Sequence, residues 1–169
     1  DLPADVDVEL KAIVSPHIDF ERGGDSYGMI WEQVRDKLKD VELFVVFGTD
    51  HNGEGPRLTL TNQDYRSPLG MLETDTELVN EIARILSTDN TIDDHPFADE
   101  FNHANEHSIE LATVWLHRAV GNSNAKMLPI LCGSFGELLE DGASNIDDHP
   151  EISRVVRLLQ SVSGERRTM

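Results

Sequence analysis

The chain has one cysteine, Cys132, among 169 residues. A single thiol excludes an internal disulfide framework and suits a reducing compartment. Long apolar runs are missing too: nothing approaches the roughly 20 residues needed to cross a bilayer. The acidic opening, DLPADVDVEL, lacks the apolar segment of a secretory leader. With no initiating Met, the natural start is left open. Basic residues are scarce, with 14 Lys and Arg against 32 Asp and Glu and a net charge of -18. Nucleic acid and anionic membrane are thereby excluded as partners, because phosphate contacts need Lys and Arg gathered on one face. This balance suits either a cytoplasmic protein with an acidic surface or one kept soluble in high salt. Several site signatures are absent as well. No GxGxxG or GxxxxGK[ST] loop is present to hold a nucleotide. There is no GxSxG elbow, no HExxH and no pair of CxxC motifs.

What is present is 38% apolar residues, spread along a length that fits one domain over residues 1–169. Lys11–Ser15 reads as a short buried strand stopped by Pro16. A Gly-rich turn, ERGGDSYG, follows. Tyr27, Ile30, Trp31, Val34 and Leu38 then recur at helical spacing, which predicts a helix over 26–39. Residues 42–48 (ELFVVFG) form a near-continuous apolar run, the pattern of a strand covered on both faces. Strand, helix, strand over about 35 residues is a βαβ unit with parallel strands. Residues 57–61 (RLTLT) alternate as an edge strand, and SPLGMLETD is turn-like. A helix starts near Asp75, where Thr74 and Glu77 are spaced as a capping box. Residues 88–106 read mostly as loop. A helix over 108–120 ends at Gly121, residues 126–132 (KMLPILC) form the third main strand, and a last helix spans 151–162 behind Pro150. The alternation predicts an α/β fold with a mostly parallel sheet flanked by helices. Ligands then collect beyond the carboxyl ends of its strands.

Two of the seven histidines stand at such ends: His17 after the first strand and His51 after the second. Imidazole suits Fe, Cu, Zn or Ni, and a pair of histidines with open positions starts many catalytic metal sites. Two rim histidines that merely cap turns are the plainer alternative. His107, at the start of the 108–120 helix, is the third candidate, although Asn105, Glu106 and Ser108 around it are ordinary helix-start residues. Glu106 and Glu110 are candidate partners or bases. Asp50 stands beside His51 and Asp19 near His17, each placed to orient a ring N–H or simply to form a turn. His103, His95, His117 and His149 are assigned to no site. Cys132 lies in an apolar run with nothing basic beside it, so it reads as an inert packing residue.

PHIDFERGGDSYG, FVVFGTDHNG, TNQDYRSPLGMLETD, NEHSIEL and KMLPILCGSF occur in the order seen in Memo proteins. Over residues 11–140 the chain resembles that family, whose microbial members are labelled AmmeMemoRadiSam system protein B. The resemblance implies a fold similar to class III extradiol dioxygenases and a histidine-lined metal pocket. It carries His17, His51 and His107 over as metal ligands and as the candidate catalytic groups. It implies a divalent transition metal, Fe(II) first, with Cu or Zn as alternatives. The activity implied is that of a metal-dependent redox or dioxygenase-like enzyme. The alternative is a non-catalytic adaptor that works with a protein partner such as a radical SAM protein. Family members continue into a further strand with a motif of the type SxDxxH or SSDFxH, which supplies another pocket residue. Nothing like it stands between Ser134 and Met169, so the C-terminal part of the family domain is expected to be missing here, and one wall of the pocket with it.

Overall fold

In the computed structural model the described residues are 10–53, 58–87, 95–121, 123–134, 145 and 149–169. Two strands dominate: β1 (Leu43–Thr49) and β5 (Lys126–Cys132), paired in parallel from Leu43↔Lys126 to Thr49↔Cys132. A short strand, β2 (Leu58–Leu60), pairs antiparallel with the other side of β5, so the order is β1-β5-β2. The sheet is therefore mixed, not mostly parallel as expected. Pro129 is tolerated in its central strand because its missing N–H falls between the Thr74 bridge at Met127 and the β2 pair that begins at Ile130. A separate hairpin joins β3 (Tyr65–Ser67) to β4 (Gly70–Leu72), so the turn-like SPLGMLETD stretch holds the end of β3, the turn and all of β4.

Alternation along the strands sorts side chains onto two faces. Phe44, Met127 and Leu131 face one cluster with Tyr27, Trp31, Ile109 and Leu116, from helices α1 (Phe20–Val34) and α4 (His107–Val120). Leu43, Leu128 and Ile130 face the opposite cluster with Leu78, Val79, Ile82 and Val155, from α2 (Thr76–Leu86) and α5 (Pro150–Glu165). Helices thus cover both faces, and each fully buried aliphatic or aromatic side chain contributes roughly 1.5–3 kcal/mol. A four-residue helical turn, α3 (Asn102–Asn105), precedes α4. No helix among the described residues is long and apolar enough to cross a membrane.

Four local expectations are corrected. Residues 11–15 form no strand; the outer edge of β1 is met instead by the last residues, with Met169 donating to Leu43 O and Val45 donating to Met169 O. The expected βαβ unit is therefore not formed. ERGGD is not a turn but the first turns of α1, which begins at Phe20, not residue 26. Asp19 caps it by accepting from Arg22 N at 3.0 Å. Gly23 is needed there because a Cβ would strike the Ile18 side chain folded back over it. The cap of α2 is Asp75, accepting from Leu78 N at 3.1 Å, not Thr74, whose hydroxyl is given to Gln63 O at 2.7 Å. Part of the 88–106 loop, residues 88–94, lies outside the described residues, as does Arg57 of the RLTLT run.

Candidate metal centre

Each rim histidine is placed by a different device. The turn that carries His17 is tied down on its far side, where Tyr27 Oη donates to Ile18 O at 3.0 Å and Asp19 caps α1. His51 follows the end of β1, where Asp50 N donates to Cys132 O at 2.8 Å and keeps the strand end in register. His107 opens α4, whose start is clamped onto β1 by the Ser108 hydroxyl donating to Thr49 O at 2.9 Å. Close approach of helix to strand requires Gly48. A Cβ there would stand 2.6 Å from Ser108 Oγ and nearer still to the Ile109 side chain.

The three rings meet. Centroids lie 5.0 Å apart for His17–His51, 4.8 Å for His17–His107 and 5.0 Å for His51–His107. One nitrogen from each falls within 4.8 Å of the others. His17 Nε2 and His107 Nε2 are 3.0 Å apart. With metal–nitrogen bonds of about 2.0–2.1 Å, two ligands set between a right angle and the tetrahedral angle stand about 2.9–3.4 Å apart, so this spacing fits one cation. Glu106 lies behind the rings, 5% exposed, and accepts from His51 Nδ1 at 2.6 Å. That bond fixes the tautomer and leaves the His51 Nε2 lone pair available. Its other oxygen is 3.8 Å from His107 Nδ1. The His17 pKa is lowered, first by partial burial and then by repulsion from the His107 and His51 charges, outweighing the pull of Glu106. A neutral imidazole is the form that ligates. The side chains of His51 and His107 remain about half exposed, 46% and 53%, so a bound ion would be reachable from solvent.

The neighbouring acids are used otherwise. Asp50 does not orient His51: its two oxygens accept from Asn102 Nδ2 at 3.2 and 3.1 Å, tying α3 to the end of β1. Asp19 does not reach His17, being engaged with Arg22. Of the four unassigned histidines, two are buried structural groups. His103 Nε2 donates to Thr59 O at 3.0 Å and its Nδ1 accepts from Tyr65 Oη at 2.7 Å; burial lowers its pKa and keeps it neutral. His117 Nδ1 meets Ser67 Oγ at 2.9 Å. His149 precedes α5 at its N-cap position, and His95 packs on Phe97. Burial pushes the Cys132 thiol up to about 11, which leaves it un-ionised and inert. A cavity of about 420 Å³ lies behind the rim, lined by Glu106 but by none of the three histidines. Tyr65, Glu100, His103 and Glu110 are among its walls.

Fold and site together define an α/β protein with a three-histidine cluster gathered at its strand ends. Residues 3–147 match the family model described as Memo-like protein, and the chain belongs to that family. It is 31% identical over 127 residues to a MEMO1 family protein of Archaeoglobus fulgidus, covering 75% of this chain and 43% of that protein. It is 29% identical over 159 residues to one of Methanosarcina acetivorans, covering 94% and 51%. The chain thus spans about half the length of the curated relatives it matches. No solved structure matches it.

Proposed function

We propose that this chain is one α/β unit of a cytoplasmic Memo-like metalloprotein, with His17, His51 and His107 holding a divalent transition metal, Fe(II) before Cu or Zn. The observation that carries the reading is the convergence of three imidazoles from three separate segments, with a buried carboxylate fixed on one of them. Carboxylate-backed histidine is the usual outer arrangement of a metal ligand. A metal held this way supplies Lewis-acid and redox chemistry, with coordination positions left for a substrate. The chain's own part is to present His17 with its protonation disfavoured and to hold the Nδ1 proton of His51 on Glu106. The activity proposed is redox and dioxygenase-like. Its test is anaerobic Fe(II) titration followed by a catechol panel, with His51→Ala alongside. Micromolar uptake that the variant loses is expected; no uptake by the unaltered protein overturns the proposal.

One observation favours a second reading, a binding module without catalysis. Glu106 is spent on His51 Nδ1, so the two-histidine, one-carboxylate set of non-heme iron oxygenases is not assembled. The partner would then be a protein such as a radical SAM protein. Partner capture that survives loss of metal in His17→Ala supports this reading over the first.

A further inference from the structure

Asp50 is a buried carboxylate, 6% exposed, one residue before a rim histidine. Its Oδ1 accepts from Asn52 N at 3.1 Å, and both its oxygens accept from Asn102 Nδ2 at 3.2 and 3.1 Å. A charge withdrawn from water has to be met by donors in this way. The Asn52 bond spans His51, so the carboxylate closes the turn that carries the ring. Asn102 faces two ways. Its side chain holds Asp50, and its carbonyl accepts from Glu106 N at 2.8 Å. Glu106 in turn accepts from His51 Nδ1 at 2.6 Å. The contacts close a ring that runs from the His51 turn through Asp50, Asn102 and Glu106 back to His51.

Other ties of the same segment lead elsewhere. Glu100 Oε1 accepts from Thr61 Oγ1 at 2.7 Å and from Asn62 N at 3.0 Å. His103 bonds to Thr59 O and Tyr65 Oη. These hold residues 100–106 to β2, to the residues just after it and to β3. Beyond Glu106, the Ser108 hydroxyl reaches β1 at Thr49 O, but this tie stops two residues short of His51. The Asn102 tie reaches the turn itself. We infer that Asp50 and Asn102 are positioning residues for the rim. Together they set the His51 turn against Glu106, so that the carboxylate takes the Nδ1 proton and Nε2 stays turned towards the other two rings. Neither residue touches the imidazole; they act through the turn and through the Glu106 backbone. The inference rests on the metal reading for its affinity readout alone, because the His51 tautomer is selected by the bond to Glu106 with no metal present.

The test uses four variants of the full chain. Asn102→Leu removes the donor at similar bulk, and Asp50→Asn is milder because one acceptor oxygen remains. Asp50→Asn combined with Asn102→Asp exchanges donor and acceptor. Thr61→Val is the control, since it cuts a tie of the same segment that lies outside the ring. The first readout is the His51 tautomer in metal-free protein, from proton–nitrogen NMR of the ring above the usual histidine pKa of about 6.5. The second is anaerobic Fe(II) titration, with a thermal melt alongside. The unaltered protein and the exchanged double variant are expected to hold His51 as the Nδ1–H form. Asn102→Leu is expected to give a mixture of tautomers and to bind Fe(II) about tenfold less tightly, with Asp50→Asn between the two. Thr61→Val is expected to melt lower with tautomer and affinity unchanged. Asn102→Leu that melts lower with the tautomer unchanged overturns the inference, leaving a structural tie only. So does Thr61→Val that disturbs the tautomer as much, or an exchange that restores nothing. If Asn102→Leu does not fold, Asp50→Asn and the exchange decide by the same readout. Failure of the unaltered protein to take up Fe(II) overturns the metal reading, while the tautomer series still decides whether the pair positions His51.

Discussion

Replacing Gly48 by alanine tests how the rim is built. The new Cβ would lie 2.6 Å from Ser108 Oγ and 3.2 Å from Ile109 Cδ1. Ordinary carbon contacts stand at about 3.5–4.0 Å, so the start of α4 has to retreat by about 1 Å. Overpacking of this kind costs about 1–3 kcal/mol, and each kcal/mol shows as about 2–4 °C in Tm for a chain of this size. The retreat also carries His107 away from its partners. Its Nε2 stands 3.0 Å from His17 Nε2, and metal–ligand distances tolerate only about 0.2 Å. Affinity for the proposed metal should therefore fall by about 10- to 100-fold. The assay is a thermal melt without metal and a metal titration of the folded variant below its Tm. Gly24→Ala is the control: no heavy atom lies within 4 Å of its Cβ site inside α1, and the change should be neutral or stabilise by about 0.5–1 kcal/mol. A Gly48→Ala protein with unchanged Tm and unchanged metal affinity would refute the reasoning.

Three further outcomes are expected. Glu106→Gln keeps the side chain's size but loses its charge on His51 Nδ1; metal affinity should drop by about 10- to 100-fold with little change in the melt, as read by titration and calorimetry. His103 has a lowered pKa in the folded state, so the unfolded chain takes up its proton first as pH falls. Stability should therefore decline from about pH 6.5 down to the lower folded value, and His103→Gln should flatten that part of the urea-measured pH profile relative to the unaltered protein. The net charge of -18 repels itself, and raising salt from 0.1 to 1 M shortens the screening length from about 10 to about 3 Å. Tm should rise with added NaCl, and a flat or falling Tm would argue against self-repulsion as a term in stability.

The long elements were legible because their apolar spacing records burial. β5 was read at its full extent and β1 within a residue, and α2, α4 and α5 were read to within a few residues of their observed limits. The failures share a cause, which is dependence on partners distant in the chain. Residues 11–15 are apolar enough for a strand and lie along the outer edge of β1, but the strand bonds at that edge go to Arg167–Met169, whose sequence has no strand pattern. Gly23 looked like a turn former; its use, making room for Ile18 inside a helix, is visible only in three dimensions. His17 was placed at the rim on the strength of a strand that is not there. It reaches the rim through the Asp19 cap and the Tyr27 bond to Ile18. Adjacency favoured Asp50 as the partner of His51, whereas the carboxylate that reaches it, Glu106, is 55 residues away. Asp50 turns to Asn102 instead.

The strand order has a kinetic meaning. β5 lies between β1 and β2, yet it is the last strand in the chain among those described, and its partner Leu43 precedes Lys126 by 83 residues. Until residues 126–132 have left the ribosome, β1 and β2 have no central strand to pair with. Parallel ladders between distant segments form slowly and expose apolar surface while they wait. During that interval Leu43, Phe44, Leu58 and Leu60, all buried in the finished sheet, face water. The end of β1 is held in register by Cys132 O, so the histidine rim takes shape only after the last strand has threaded between its elders. Chaperone demand during synthesis should accordingly concentrate on this window of chain lengths.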